Sequence, residues 1–309
     1  MTIQEIYNKW LPVKRKLVKE STCSTYVYQF TKRILPIYGD KEPEYVTNDE
    51  MQRFMLSLIE EGLSVKSAKD IFISFKMLLY YAMERYGVKY IKYRVQFPTV
   101  NMEATKDLEV YTEFEQKKII SYIVDYPKPK RLGILIGLCT GMRIGEICGL
   151  RWENIDIGNK CIHVTHTIER ILDIDTKKSK VIESTPKTIE SQRDIPIGRD
   201  LLGILKKFKA CYNDGFYVIT GDEKFCEPRT YRNYYRHLVL SEVGLDRCIK
   251  FHGLRHSFAT RMIASKADMK TTSRILGHSD VSTTMNLYVH PSMDDKLDAV
   301  NKSMKNLFK

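Results

Sequence analysis

Residues 251–260, FHGLRHSFAT, set His252, Arg255 and His256 within five positions of an otherwise apolar segment. Two chemistries fit that spacing. Histidines four apart on a helix can hold a metal ion together, and a histidine with an arginine three residues on can clamp a phosphate. The metal reading needs the pattern H-E-x-x-H, in which the glutamate serves as base. Gly253 follows His252 instead, and Arg255 would repel a cation. His163 and His166 fall on a predicted strand at an odd spacing and face opposite sides, so no metal site is expected from them either. The phosphate reading rests on the guanidinium, whose paired N–H donors match two phosphate oxygens as a lysine cannot. Alone it is weak, because a buried arginine often just pairs with an acid. A second segment, CTGMRIGEICGLRW, presents Arg143 between Gly141 and Gly145 in surroundings too apolar to welcome a charge. Burying that charge is costly without partners, and Glu146 three residues on can orient it. By itself Arg143 reads equally as a structural salt bridge or as an anion clamp.

Elements able to position these groups can be read along the chain. In TNDEMQRFMLSLIEEG, Thr47 and Glu50 have capping-box spacing and Gly62 closes the helix. The next helix, SVKSAKDIFISFKMLLYYAMERYG, carries Ala68, Ile71, Phe75, Leu78, Leu79 and Ala82 at helical intervals. Lys66, Lys69 and Lys76 lie within roughly 80° of one another on its wheel, away from that stripe. Such a face suits docking on a nucleic-acid backbone, and equally suits plain solvation. QFPTVNMEATKD has Pro98 and no periodicity, and reads as a linker. Thr112 and Glu115 open another capped helix, RLGILIGLCTG reads as a buried helix ended by Gly141, and RIGEICGL as a short one after it. KCIHVTHTIER, KVIES and RDIPIG read as strands, with Pro186 and Lys187 at a turn between the last two. From about Asp200 the pattern is helical again. The fold class expected is mainly α with a small antiparallel β-sheet (α+β).

The totals agree with a globular chain of 309 residues, long enough for two domains, with 43% hydrophobic and 28% charged residues. Lys and Arg outnumber Asp and Glu by 50 to 38, for a net charge of +12 and a pI near 9.2. That balance favours a polyanionic partner, although a solubilising surface would also need it. The opening residues lack the apolar core of a signal peptide. The run from Leu132 to Met142 is too short to cross a bilayer. Seven cysteines without a C-x-x-C pair argue against a disulfide framework and for a reducing cytoplasm.

Four segments, TGMRIGEICGLRW, TPKTIESQRDIPI, HGLRHSFATRMI and LGHSDVSTTMNLYVH, resemble in order and spacing the signature segments of the tyrosine recombinases, or phage-type integrases. The resemblance covers roughly residues 110–290. It implies a helical core-DNA-binding domain over 1–97, a linker at 98–107, a catalytic domain over 108–290, and a C-terminal amphipathic helix over 291–309. Arg143 is similar to the family's first catalytic arginine and Arg255 to the second. Lys187 matches the sheet-turn lysine, His252 the histidine before the second arginine, His278 the late histidine, and Tyr288 the nucleophile. Glu146 is similar to the acid that buttresses the first arginine. Each has a plainer reading alone: Tyr288 as core, Lys187 as an exposed turn residue, His278 as a helix end. Their joint presence reverses those readings.

Phosphodiester cleavage needs a nucleophile, charge stabilisation on the non-bridging oxygens, and a proton for the leaving oxygen. The resemblance assigns these in turn to Tyr288, forming a 3′-phosphotyrosine, to Arg143 and Arg255 with His252 and His278, and to Lys187. No metal, ATP or other cofactor is expected, since two arginines stand where a divalent ion stands in other phosphoryl-transfer sites. The function expected is a site-specific DNA recombinase, the integrase of a phage or integrative element. A chromosome-dimer-resolving or inverting recombinase is the alternative, ahead of a type IB-like topoisomerase or a non-catalytic DNA-binding regulator. Expected partners are double-stranded DNA core sites, a homotetramer on two duplexes, and an accessory DNA-bending or excisionase protein. No membrane is expected, and the expected setting is the cytoplasm, with the nucleoid. The core-binding helices begin so early that an arm-binding domain in front is not expected. Met293, Leu297, Val300, Met304 and Leu307 step by four and three, the stripe of an amphipathic tail helix that the family packs on a neighbouring protomer.

Overall fold

A computed structural model describes residues 1–89, 91–99, 109–186 and 191–288, with Leu297, Val300, Asn301 and Met304. They divide into two units: Met1–Lys106 with Arg170–Ile182, and Asp107–Glu169 with Glu183–Lys309.

The first unit is built from α1 (Ile3–Leu17), α2 (Glu20–Gln29), a π-helical turn, α3 (Leu35–Tyr38), α4 (Asn48–Glu60) and α5 (Val65–Tyr86). Helix α4 starts where the capping box requires. Thr47 Oγ1 accepts from Glu50 N at 3.2 Å, and the Glu50 carboxylate accepts from Thr47 N at 3.0 Å. The apolar stripe read from α5 is buried throughout, packing with Trp10, Phe30, Met51 and Met55. At about 1.5–3 kcal/mol for each large side chain removed from water, this stripe holds the unit together.

The second unit opens with α6 (Glu113–Asp125), capped by Thr112 and Glu115, and then α7 (Pro129–Thr140). Helix α7 is apolar on nearly every side because it lies inside the unit, with α6 on one flank. The short α8 (Ile144–Cys148) follows, then β1 (Ile155–Asp156), β2 (Cys161–Val164), β3 (Thr167–Leu172), β4 (Ser179–Ser184) and β5 (Arg193–Pro196). Helices α9 (Arg199–Lys209), α10 (Pro228–His237), α11 (His252–Ala264), α12 (Met269–Leu276) and α13 (Val281–Tyr288) complete it, α11 packing along α7.

Three differences from the sequence reading have local causes. KCIHVTHTIER is two strands, broken at Thr165 and His166, and they belong to different sheets: β1-β2-β5 and β3-β4. The outer part of the β3–β4 hairpin, 170–182, falls in the first unit although the sequence placed all of 108–290 in one domain. There Ile174 packs on Cys23 and Val27, and Arg15 donates to both carboxylate oxygens of Asp175 at 2.9 and 3.0 Å. The pattern beyond Asp200 is not helical throughout, since 210–227 runs in turns tied by bridges of Tyr217 to Arg151 and Asp222. In the tail, Leu297, Val300 and Met304 are helical and exposed, while Met293 and Leu307 lie outside the described residues.

Candidate active site

Two helix ends build the site. Helix α7 stops at Gly141, whose φ of 68° is a left-handed conformation that a side chain resists. A Cβ there would also meet Phe258 at 2.7 Å and Leu276 at 2.8 Å. This turn delivers Arg143 to the N-cap of α8 in extended conformation. Helix α12 stops in the same way at Gly277, φ 68°, and the next residue is His278.

The last carbonyls of a helix have no partner within it and carry the negative end of the macrodipole. In this unit they receive arginines. Arg255 of α11, 2% exposed, donates from Nη1 to Gly141 O at 2.9 Å. Arg143 donates from Nη2 to Gly277 O at 3.0 Å, and Arg193 of β5 from Nε to Ile275 O at 2.6 Å. Two clamps set far apart in sequence are thus seated on the ends of α7 and α12.

Glu146, 3% exposed, is the counter-charge. It accepts from Arg143 N at 2.8 Å and from Arg143 Nη1 at 2.8 Å. Arg193 meets it as a fork, Nη1 and Nη2 each donating at 3.0 Å. Burial pushes this carboxyl up, but the Arg193 fork and the Arg143 charge outweigh burial and hold it below the usual carboxylate range. It stays ionised.

His252 opens α11 at an exposed position, its ring 4.6 Å from that of His256 and edge-on to it. Lost hydration, then His256, Arg255 and Arg143, push His252 down to about 4. His278 is half-buried, its Nδ1 2.8 Å from Thr284 Oγ1. Desolvation followed by Arg255, Arg143, His252 and Arg193 lowers it to about 4 as well. The same charged groups act on both rings, so Arg143, Arg255, His252 and His278 form one cationic neighbourhood with neutral imidazoles at neutral pH. Arg193 and His278 also border an open cavity of about 500 Å³.

Tyr288 is the last residue of α13, which packs on α11 and α12, the helices that carry His252, Arg255 and the approach to His278. Its side chain, and Lys187 entirely, lie outside the described residues. In the first unit Lys66 and Lys69 are exposed and Lys76 half-buried; Lys69 Nζ sits 5.4 Å from the Phe97 ring centroid and Lys76 Nζ 4.7 Å from that of Phe72. Lys69 and Lys76 thus each lie near an aromatic ring outside the stripe read from α5.

Sequence reasoning missed Arg193 and Thr284. Arg193 pairs with Val164 in register, and Ile195 with Ile162, all three apolar residues being buried. Alternation therefore turns Arg193 toward the buried face of β5, a strand position that no arginine holds without a counter-ion. That parity was readable in RDIPI. Thr284 had no comparable signal.

Comparison with known proteins gives the family and the fold. Residues 109–295 match the model of the phage integrase family, and residues 2–59 that of the phage integrase N-terminal SAM-like domain. The tyrosine recombinase XerC-like protein of Caldanaerobacter subterraneus subsp. tengcongensis is 30% identical across the whole chain, which covers 84% of that relative. The transposase from transposon Tn916 of Enterococcus faecalis is 25% identical over 99% of the chain and 78% of its own length. Among solved structures, the Tn1549 transposon integrase in complex with transposon right end DNA superposes with a TM-score of 0.76 at 22% identity, covering 98% of this chain and 99% of the other. The chain belongs to the phage integrase family, the tyrosine recombinases, enzymes that cleave and rejoin DNA strands. Among the described residues no helix is long and apolar enough to cross a membrane.

Proposed function

We propose that this recombinase works on double-stranded core sites through a covalent 3′-phosphotyrosine at Tyr288, as the integrase of a mobile element. The observation that carries the reading is the seating of Arg143 and Arg255 in one neighbourhood with two neutral histidines, beside α11 and α12, on which the helix ending in Tyr288 packs. The Tyr288 oxygen attacks phosphorus, the 5′ oxygen departs, and Lys187 supplies its proton. Arg143 and Arg255 hold the two non-bridging oxygens while charge grows on them. His252, neutral near pH 7, takes the phenolic proton, and His278 donates a hydrogen bond to the phosphate. Glu146 and Arg193 are positioning residues, acting through Arg143. The phosphotyrosine keeps the energy of the broken bond, so a new 5′-hydroxyl reverses the step without ATP. The lysine face of α5, with Lys66, Lys69 and Lys76, contacts the DNA backbone. Four protomers on two duplexes complete the reaction, in the cell's DNA-containing compartment.

A nicked duplex carrying the core site tests the chemistry. The wild-type protein should trap a covalent adduct, and Tyr288→Phe should bind the duplex equally and trap none. An undiminished adduct with the phenylalanine variant would refute the assignment. The Tn916 relative supports the mobile-element reading, and the XerC-like relative supports a chromosome-dimer resolvase. Sequencing the joined product in cells separates them: a circular element with joined ends for the first, resolved chromosome dimers for the second.

A further inference from the structure

On the other face of the β1-β2-β5 sheet, outside the arginine cluster, three dissimilar ligand groups converge. Register pairs Asp156 of β1 with Cys161 of β2, and Cys161 and His163, two apart, point the same way. Their ligand atoms all lie within 4.8 Å of one another. Cys161 Sγ stands 3.7 Å from His163 Nε2, which is 3.9 Å from Asp156 Oδ2. With zinc bond lengths of about 2.3 Å to sulfur and about 2.0–2.1 Å to nitrogen and oxygen, the edges of a tetrahedron come to about 3.6 and about 3.4 Å. The two edges that meet at His163 Nε2 lie within about half an ångström of these values.

The surrounding hydrogen bonds already aim them. Strand β5 sets Asp194 opposite His163, and its carboxylate oxygen lies 2.7 Å from His163 Nδ1. A neutral imidazole donating from Nδ1 to that carboxylate would face its Nε2 lone pair to Cys161 and Asp156, the arrangement by which a carboxylate orients a metal-bound histidine. Asp156 is fixed in turn by Asn159, whose backbone N and Nδ2 each donate to it at 2.8 Å. A surface ion pair would account for His163 and Asp194 alone. It gives no reason for a thiol and a second, separately anchored carboxylate to meet the opposite ring nitrogen.

We propose that Asp156, Cys161 and His163 bind a zinc-class divalent ion, with Asp194 orienting the histidine and a water in the fourth position. Thiolate, imidazole and carboxylate together suit zinc better than magnesium or calcium, which take oxygen ligands. The thiol gives up its proton to bulk water on binding. The ion ties β1 to β2 and, through Asp194, to the strand that delivers Arg193, so it stabilises the sheet without entering the reaction. This proposal does not depend on the assignment of Tyr288.

Cobalt(II) is the probe, added to the full chain after chelator treatment. Saturation at one equivalent is expected, with visible bands of a tetrahedral ion and a near-ultraviolet thiolate-to-cobalt band, displaced by zinc. Cys161→Ser should remove the thiolate band, while Cys211→Ser, at an exposed cysteine, should leave it intact. Asp194→Asn should keep the stoichiometry and weaken binding about 10- to 100-fold. Absence of saturable binding below about 100 μM, or a thiolate band that survives Cys161→Ser in a protein with unchanged circular dichroism, would overturn the proposal.

Discussion

Replacing Glu146 by glutamine removes one charge and no volume, and so isolates what that carboxylate does. It accepts four hydrogen bonds, two from Arg143 and two from Arg193. The amide keeps one oxygen and turns an N–H₂ group toward donors, so at least two of the four are lost, and two guanidiniums remain without their counter-charge. Removing one partner of a buried pair costs about 3–5 kcal/mol. Arg143 is 35% exposed and water relieves part of its loss, which sets the expectation at the lower end, about 3 kcal/mol. For a domain of this size about 2–4 °C accompanies each kcal/mol, so the melting temperature should fall by about 6–12 °C. Because the carboxyl is held below its unfolded value, its contribution is present above the ordinary carboxylate range and lost as pH falls through the lowered value. The gap between wild type and variant should therefore be constant near neutrality and narrow as pH falls below the ordinary carboxylate range. Adding Arg193→Met to the variant should cost less than the two single losses together, since the second change removes the stranded cation. Cleavage of a nicked core-site duplex should slow about 10- to 100-fold as Arg143 loses its seat. Thermal unfolding by circular dichroism and adduct formation read both effects. A melting temperature within 2 °C of wild type, or strict additivity in the double variant, would show that Glu146 does not hold the clamp.

Arg143→Lys and Arg255→Lys keep the charge and lose the fork, and each should slow adduct formation about 10²-fold or more; near-normal rates would refute the two-oxygen clamp. Gly141→Ala forces a left-handed alanine against Phe258 and Leu276, and should destabilise the fold by about 2–4 kcal/mol in urea unfolding. Tolerance of alanine there would mean that the turn is not fixed by packing. His252 and His278, both lowered to about 4, should leave kcat/KM for cleavage without a break near pH 6.5. Stability should decline as pH falls from about 6.5 to about 4, because the unfolded chain binds those protons first. A rate profile with a midpoint near 6.5 that vanishes in His252→Asn would contradict the desolvated cage.

Local signals were legible where local chemistry decides the outcome. The boxes at Thr47–Glu50 and Thr112–Glu115 start helices because the competing backbone donors lie three residues away. The buried stripe of α5 follows from period alone. Pairing between distant strands has no such signature. Alternation in KCIHVTHTIER is too loose to reveal a change of sheet at Thr165, and nothing near Ile174 announces that Cys23 and Val27 will cover it. The Asp156, Cys161, His163 and Asp194 cluster was invisible for the same reason, since it exists only through the register of β1, β2 and β5. Arg193 lies between these cases. Its inward parity could be read, but its partner across the unit could not.

The charge count of the site follows from that partner. Among the described residues the cage holds three guanidiniums, Arg143, Arg193 and Arg255, against one buried carboxylate, Glu146. Two positive charges are left over, and before the reaction the neighbouring imidazoles add none at neutral pH, because desolvation first and the same cations second lower them to about 4. A phosphodiester brings one negative charge, whereas the pentavalent state formed by phenolate attack carries two. Net positive charge attracts the dianionic transition state more strongly than the singly charged phosphodiester, so the cage favours the state it must stabilise. A second buried acid would weaken that preference; here the single acid is shared between two arginines, and the remaining cation seats are helix-end carbonyls, partners with dipoles and no net charge.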